Sequence, residues 1–338
     1  MSDVPFWYFP MVYFAFGLCF GSFLNVVALR GLSGEDLVLA RSKCPKCNNK
    51  LKWYMNIPLV SYIFLRGKCA FCGCRISPQY PIVEFLTALF FLLIYFKFGL
   101  GVKSFFMCAY AFFFILLALT DILETVILDF HAYILTAVAI ISAILGYSDI
   151  NIWQAVVGGI SGFLIFEILS KIGEIFANVR MFGEGDSLIA LGLGAVFGIK
   201  ALLIIIALSF LVQTVFAIPV LIINSIKQKK YPLAFTYSFI ISSMIFIISA
   251  NCFHFIKNYN VYLGIICTLA ILMLLSLKVI FKEIKAKKEL FDKDDTIEEI
   301  MTKSTFNIMP FGPALIISAF ICMFYLKEIK LLVLSFIF

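Results

Sequence analysis

The chain has 338 residues, 63% of them hydrophobic and only 14% charged, with a mean hydropathy of +1.05. No soluble core needs that much apolar surface, so the composition excludes an ordinary soluble domain and points to an all-α polytopic membrane protein. The net charge of +7 is no nucleic-acid signal, because most Lys and Arg lie in short segments between apolar runs, where they set topology.

The first apolar run, 6–29, reads as a transmembrane helix and not as a cleaved signal: Asp3 is its only early charge and no basic region precedes it. It ends in Gly21-Ser22-Phe23-Leu24-Asn25, where Ser22 and Asn25 either leave a packing notch or hydrogen-bond to another helix. Residues 31–80 are the one long polar stretch of the first half. Arg30, Arg41, Lys43, Lys46, Lys50, Lys52, Arg66, Lys68 and Arg75 stand there against Glu35 and Asp36. The positive-inside rule places this loop in the cytoplasm and the N-terminus outside. It carries two Cys-x-x-Cys pairs, Cys44/Cys47 and Cys69/Cys72, with 21 residues between them. Four thiolates so spaced suit one tetrahedral zinc, and a reducing cytoplasm disfavours disulfides. Cys74 is a fifth thiol that can replace Cys72. A closed shell of four thiolates makes the zinc structural and not the reaction centre.

A second span, 81–100, has Glu84 near its start, either at headgroup level or paired with a loop cation. The third, 102–120, is dense in Phe and ends at Asp121. A short turn through Asp129 leads into the fourth, 126–146, and the outer connection 147–151 has Asp149 but no Lys or Arg. The fifth span, 152–176, carries Gly158, Gly159 and Gly162, which permit close helix contact. Lys171 and Arg180 mark its cytoplasmic end. Next comes Gly183-Glu184-Gly185-Asp186, in which two Gly allow positive φ and close backbone approach before a helix. The apolar segment 186–198 is short for a full span, and 201–223 follows it. Two more spans, 232–250 and 262–279, precede a charged stretch at 282–303. Pro310-Phe311-Gly312-Pro313 opens the last span, which runs to about 325. The expected total is 8–10 transmembrane helices, divided as a first helix (1–30), the Cys loop (31–80), a transmembrane core (81–224), additional helices with a charged cytoplasmic loop (225–308) and a C-terminal helix (309–338).

Counting spans puts Asp121 and Asp186 on the same, cytoplasmic, side of the membrane. Two facing carboxylates that share one proton supply both the base and the acid that water attack on a peptide requires. The plainer reading of each is a helix cap or a headgroup-level charge. A serine protease built on Ser161 and His254 is a weaker reading, since Ser161 sits among small residues that suit helix packing. An ion-coupled transporter using intramembrane carboxylates is the alternative from another class, but no internal repeat supports it.

Gly21-Ser-Phe-Leu-Asn25, the two Cys pairs, Tyr80-Pro-Ile-Val-Glu84, the Asp121-to-Asp129 spacing, Gly183-Glu-Gly-Asp186 and Pro310-Phe-Gly-Pro313 occur in this order across most of the chain. Together they resemble the type IV prepilin peptidases, a branch of the Gly-x-Gly-Asp aspartyl intramembrane proteases. The resemblance implies cleavage of a basic leader from prepilins and pseudopilins after Gly, at the cytoplasmic face of the cell (inner) membrane. It further implies partnership with a type IV pilus or type II secretion machinery. It places the catalytic roles on Asp121 and Asp186, with Gly183, Gly185 and Asp129 shaping the site. The zinc ligands it implies are Cys44, Cys47, Cys69 and Cys72. A loop that contains the Cys motif resembles the bifunctional form, which also N-methylates the new N-terminus with S-adenosylmethionine. The chain departs from the pattern at Leu128, where the family usually has Pro, and in the extra length of 231–303.

Overall fold

The computed structural model describes residues 5–34, 42–125, 127–177, 182–227 and 310–337. Its helices are α1 (Tyr8–Ser33), α2 (Val60–Phe64), α3 (Gln79–Phe98), α4 (Val102–Glu124), α5 (Asp129–Ile144), α6 (Ile152–Ala177), α7 (Glu184–Lys227) and α8 (Gly312–Ile337). The all-α expectation holds: extended pairing among the described residues is limited to two isolated bridges in the Cys loop. Within α1, α3, α4, α6, α7 and α8, six stretches are long and apolar enough to cross a membrane, and α5 is a shorter apolar helix. The expected spans 232–250 and 262–279 and the charged stretch 282–303 lie outside the described residues. Residues 5–210 and 310–337 belong to one compact unit, which holds the site discussed below, and 211–227 belong to a second.

Two helix ends differ from the sequence expectation, each for a backbone reason. α4 continues one turn past Asp121, stopping where Thr125 turns left-handed (φ 53°) and returns its N–H to the Asp121 carbonyl. α5 therefore starts at Asp129 and not at 126, after an extended Leu128. The break expected near residue 198 is present: Gly198 adopts φ 73° and ψ 166° inside α7, which few residues other than glycine tolerate. The stretch 184–197 is thus about 21 Å long at 1.5 Å per residue, well short of a ~30 Å hydrocarbon core.

Glycine sets how closely the helices pack. A Cβ at Gly21 would stand 2.7 Å from the Glu84 Cα, so α1 and α3 meet backbone to backbone. Gly158 of α6 and Gly194 of α7 oppose one another so tightly that a Cβ on either would overlap the other's carbonyl, and Gly162 lies equally close to Ala190. Close approach of this kind drives association in lipid, where burial of apolar surface contributes little. The buried centre is filled by Tyr110, Phe114, Leu135, Phe166, Ile189 and Leu193. α8 is keyed into it by Phe320, which stacks on Phe90 at 3.9 Å between ring centroids and meets Phe114 edge-on at 5.5 Å.

Candidate active site

Asp121 lies in the last turn of α4, on its inward face. It is only 6% exposed, while its neighbour Ile122 is 60% exposed. Its Oδ2 has no hydrogen-bond partner among the described residues. Asp186 is the third residue of α7 and 9% exposed. It donates its N–H to the Gly183 carbonyl (3.2 Å), and its Oδ2 accepts the Gly183 N–H (3.1 Å). The second of these bonds is the half of a capping box that the N3 carboxylate makes, so the plainer reading of Asp186 as a cap is partly right. It orients one carboxylate oxygen and leaves the other. The helix N-terminus favours negative charge at this position.

Three contacts bring the two aspartates to one place. The turn after Asp121 packs on the Gly-Glu-Gly-Asp turn at Gly185, where a Cβ would fall 2.6 Å from the Ile127 Cδ1. A Cβ at Gly312 would land on Asp121 Oδ2 and lie 2.8 Å from the Cδ1 of Ile189, three residues beyond Asp186. Gly185 is half-buried in this junction, while Gly183 is exposed at its mouth. Asp129 opens α5 as an exposed residue and stands outside the buried pair.

Ser187, Glu167, Ser170 and the phenylalanines around Phe311, none of which the sequence reading singled out, complete the surroundings. Ser187 donates to Glu167 Oε1 of α6 at 3.1 Å. Glu167 is the one carboxylate inside the apolar run 152–173, and the rarity of such groups in a membrane span was the signal for it. Ser170 of the same helix donates to the Phe182 carbonyl at 2.8 Å. Phe311 gathers Phe166, Phe182 and Phe210 around itself, with ring centroids 5.3–6.1 Å apart. The Pro310–Pro313 turn is thereby fixed over the start of α7. Ser161 donates to the Gly158 carbonyl of its own helix at 2.9 Å, as a packing serine does, and His254 lies outside the described residues.

The Cys loop is built from one turn used twice. Cys44 accepts the Asn48 N–H on its carbonyl and donates its own N–H to Asn49. Cys69 does the same with Gly73 and Cys74. Asn48 and Gly73 have φ of 57° and 67°, and the bridges Lys43↔Lys50 and Lys68↔Arg75 close the two turns. The sulfurs of Cys44, Cys47, Cys69 and Cys72 all lie within 4.8 Å of one another, with Cys44 and Cys72 3.9 Å apart. Tetrahedral zinc with Zn–S near 2.3 Å calls for sulfurs about 3.8 Å apart, so this set fits a metal such as zinc. Cys74 stands beside it, 3.5 Å from Cys44. Backbone N–H groups of Cys47 and Lys46 bring the Cys44 thiol down to about 6. The neighbouring sulfurs of Cys72 and Cys44 push Cys74 up to about 12. Thiolates this crowded oppose one another's ionisation unless a cation lies among them.

Glu84 pairs with a backbone donor and with no loop cation among the described residues. It is 7% exposed, and its Oε2 accepts the Leu59 N–H at 2.7 Å, joining α3 to the loop. Burial had to be satisfied by a donor, and the backbone at the start of α2 supplied it. Asn25 of α1 makes the interhelical bond that was one of its two readings, from Nδ2 to the Tyr80 carbonyl at 3.3 Å.

Residues 15–98 match the family described as "Bacterial Peptidase A24 N-terminal domain", and residues 108–218 match "Type IV leader peptidase family". The chain is 35% identical over 195 residues to the prepilin leader peptidase/N-methyltransferase of Myxococcus xanthus, which covers 58% of each protein. It is 31% identical over 255 residues to the protein of that name from Aeromonas salmonicida, covering 67% of this chain and 86% of the relative. With that of Bacillus subtilis it is 30% identical over 229 residues, or 66% and 88%. No solved structure matches the chain.

Proposed function

The chain belongs to the prepilin leader peptidase/N-methyltransferase family, and from that premise we propose that it cleaves the basic leader from prepilins and pseudopilins after Gly, at the cytoplasmic face, with Asp121 and Asp186 as the catalytic pair. The observation that carries this reading is the convergence of two carboxylates, each less than a tenth exposed, on one junction of α4, α7 and the 310–313 turn. Such burial is unfavourable for a pair of structural charges and suits a pair that shares a proton.

In the mechanism, the substrate's apolar helix enters among the spans and its basic leader stays at the cytoplasmic surface. The ionised aspartate takes a proton from water as the water attacks the scissile carbonyl. The protonated aspartate donates to the carbonyl oxygen; the proton taken from water then passes to the departing amine, and a hydroxyl of the intermediate returns a proton to the other aspartate as the carbonyl re-forms. The two titrate as a unit, so neither role belongs to one residue alone. The Gly183 N–H holds one oxygen of Asp186, and Gly312 leaves room for Oδ2 of Asp121.

Cys44, Cys47, Cys69 and Cys72 would hold zinc, which folds the cytoplasmic loop when bound. The family's second activity implies S-adenosylmethionine as methyl donor. No residue of this chain is assigned to the methyl donor, so methylation rests on membership alone. The pilus or type II secretion machinery is the expected consumer of the product.

The deciding experiment mixes detergent-purified protein with a prepilin that has a basic leader and a Gly-Phe junction. Mass spectrometry should find leader loss with wild type and none with Asp186→Asn. Addition of S-adenosylmethionine should add the mass of one methylene to the new N-terminus. Equal processing by Asp186→Asn would remove Asp186 from the mechanism.

A further inference from the structure

The charge of the Cys loop exceeds what its metal centre can use. From residue 42 to 78 the chain has seven Lys and Arg and no Asp or Glu. Four thiolates around one zinc ion leave a net charge of −2. Most of the cations are therefore not explained by the metal.

Three of them meet in a cleft of about 640 Å³ lined by Tyr62, Arg66, Lys68, Arg75, Ser77 and Pro78. Its walls are fixed by the backbone. Lys68 and Arg75 form an antiparallel bridge, and the Ile76 N–H donates to the Gly67 carbonyl at 2.8 Å. Residues directly opposite in such a bridge have Cβ atoms about 5 Å apart, and like charges placed there destabilise the pair. Arg66 adds a third cation from a left-handed backbone (φ 51°), a conformation disfavoured for any residue but glycine. Next to it, a Cβ on Gly67 would come within 3.0 Å of the Tyr62 hydroxyl, so glycine is what lets that donor approach. Like charges held together by a strained, hydrogen-bonded turn, with hydroxyl donors among them, make a receptor for an anion with several oxygens.

The position of the cleft says which anion. Ser77 and Pro78 immediately precede Gln79, the first residue of a membrane-spanning helix, so the cleft opens at headgroup level. On α2, the residues after Tyr62 are Ile63 and Phe64, which are 63% and 83% exposed. Apolar side chains beside a cationic cleft at a membrane surface suit an acyl-chain region next to a phosphate. A basic leader peptide would be repelled from it.

We propose that the cleft between α2 and the Lys68–Arg75 bridge binds the phosphate headgroup of an anionic phospholipid and docks the Cys loop on the membrane. The test uses the full-length, zinc-loaded protein in nanodiscs made from equal parts phosphatidylglycerol and phosphatidylcholine. Native mass spectrometry then counts the lipids it retains. Wild type should retain phosphatidylglycerol in excess. Preference should fall about fivefold for each cation removed in Arg66→Gln, Lys68→Gln and Arg75→Gln, with zinc content unchanged as evidence of folding. Lys46→Gln removes the same charge from the same loop without lining the cleft and should keep the preference. Equal retention of the two lipids by wild type would overturn the proposal. So would a loss in Lys46→Gln as large as in the cleft variants, since the attraction would then be diffuse. An unchanged preference in all three cleft variants would likewise move the lipid to another surface.

Discussion

At Gly312 the missing side chain gives the Asp121 carboxylate its place, because a methyl group there would sit on Oδ2. Gly312→Ala should therefore displace that carboxylate without touching the substrate path elsewhere. Misplacement of a reacting group by about 1 Å can reduce rate by ~10²-fold. We expect kcat/KM for leader cleavage to fall by about that factor while the protein still reaches the membrane, and activity within a few-fold of wild type would show that Gly312 lies outside the site. The two aspartates admit a sharper test. In Asp186→Asn the amide oxygen can still accept the Gly183 N–H, so the cap survives and only proton chemistry is lost. Asp121→Asn and Asp186→Asn should each reduce cleavage by about 10²–10⁴-fold, the usual contribution of a positioned acid or base, with unchanged thermal stability in detergent. A loss of folded protein from either variant, with no separate loss of rate, would return that residue to a structural role.

Among the elements, α3 links the bundle to the loop through a single buried carboxylate. Leu59 stands at the start of α2 with φ 60°, and its N–H points at Glu84. Glu84→Ala removes the acceptor and leaves a part-buried N–H unpaired, which costs about 1–3 kcal/mol. Limited proteolysis should then cut within 42–78 faster than in wild type, and an unchanged cutting rate would mean that other contacts hold the loop. α6 and α7 depend on Gly194, where any Cβ overlaps the Gly158 carbonyl. Gly194→Ala should lower thermal stability by about 1–3 kcal/mol, the range for overpacking a tight core, as read from detergent unfolding curves. The sequence made the glycine contacts of α6 legible because Gly158, Gly159 and Gly162 recur at helical spacing inside an apolar run. It made the break at Gly198 legible because an apolar segment ended too soon. The start of α5 was less accessible, since it depends on Thr125 turning left-handed, and Thr carries no signal for that conformation.

Across the whole molecule, local patterns are legible in the chain and long-range contacts are not. Span counting put Asp121 and Asp186 on one side of the membrane, but no spacing rule brings Gly312 to them across more than a hundred residues. That contact needs α8 seated against α4, which Phe320 secures through Phe90 and Phe114. The cysteine cluster was legible because both pairs carry the two-residue gap that one metal imposes, whereas the docking role of Glu84 was hidden, its partner being a backbone N–H. On the proposed zinc ligation, these two halves of the protein should respond differently to loss of metal. The Cys loop has few buried side chains apart from Cys44 and Cys69, so its order depends on ligation. The candidate catalytic pair rests on helices whose packing involves no cysteine of the cluster. Chelation of the purified protein, or Cys44→Ser with Cys69→Ser, should therefore remove the zinc and make 42–78 sensitive to protease, while α3 to α8 stay protected. Leader cleavage should fall by no more than about tenfold, far less than the 10²–10⁴-fold expected for an aspartate variant. If cleavage instead fell with the zinc to the level of Asp186→Asn, the loop would have to contribute directly to the reaction, and a purely structural metal would no longer account for it.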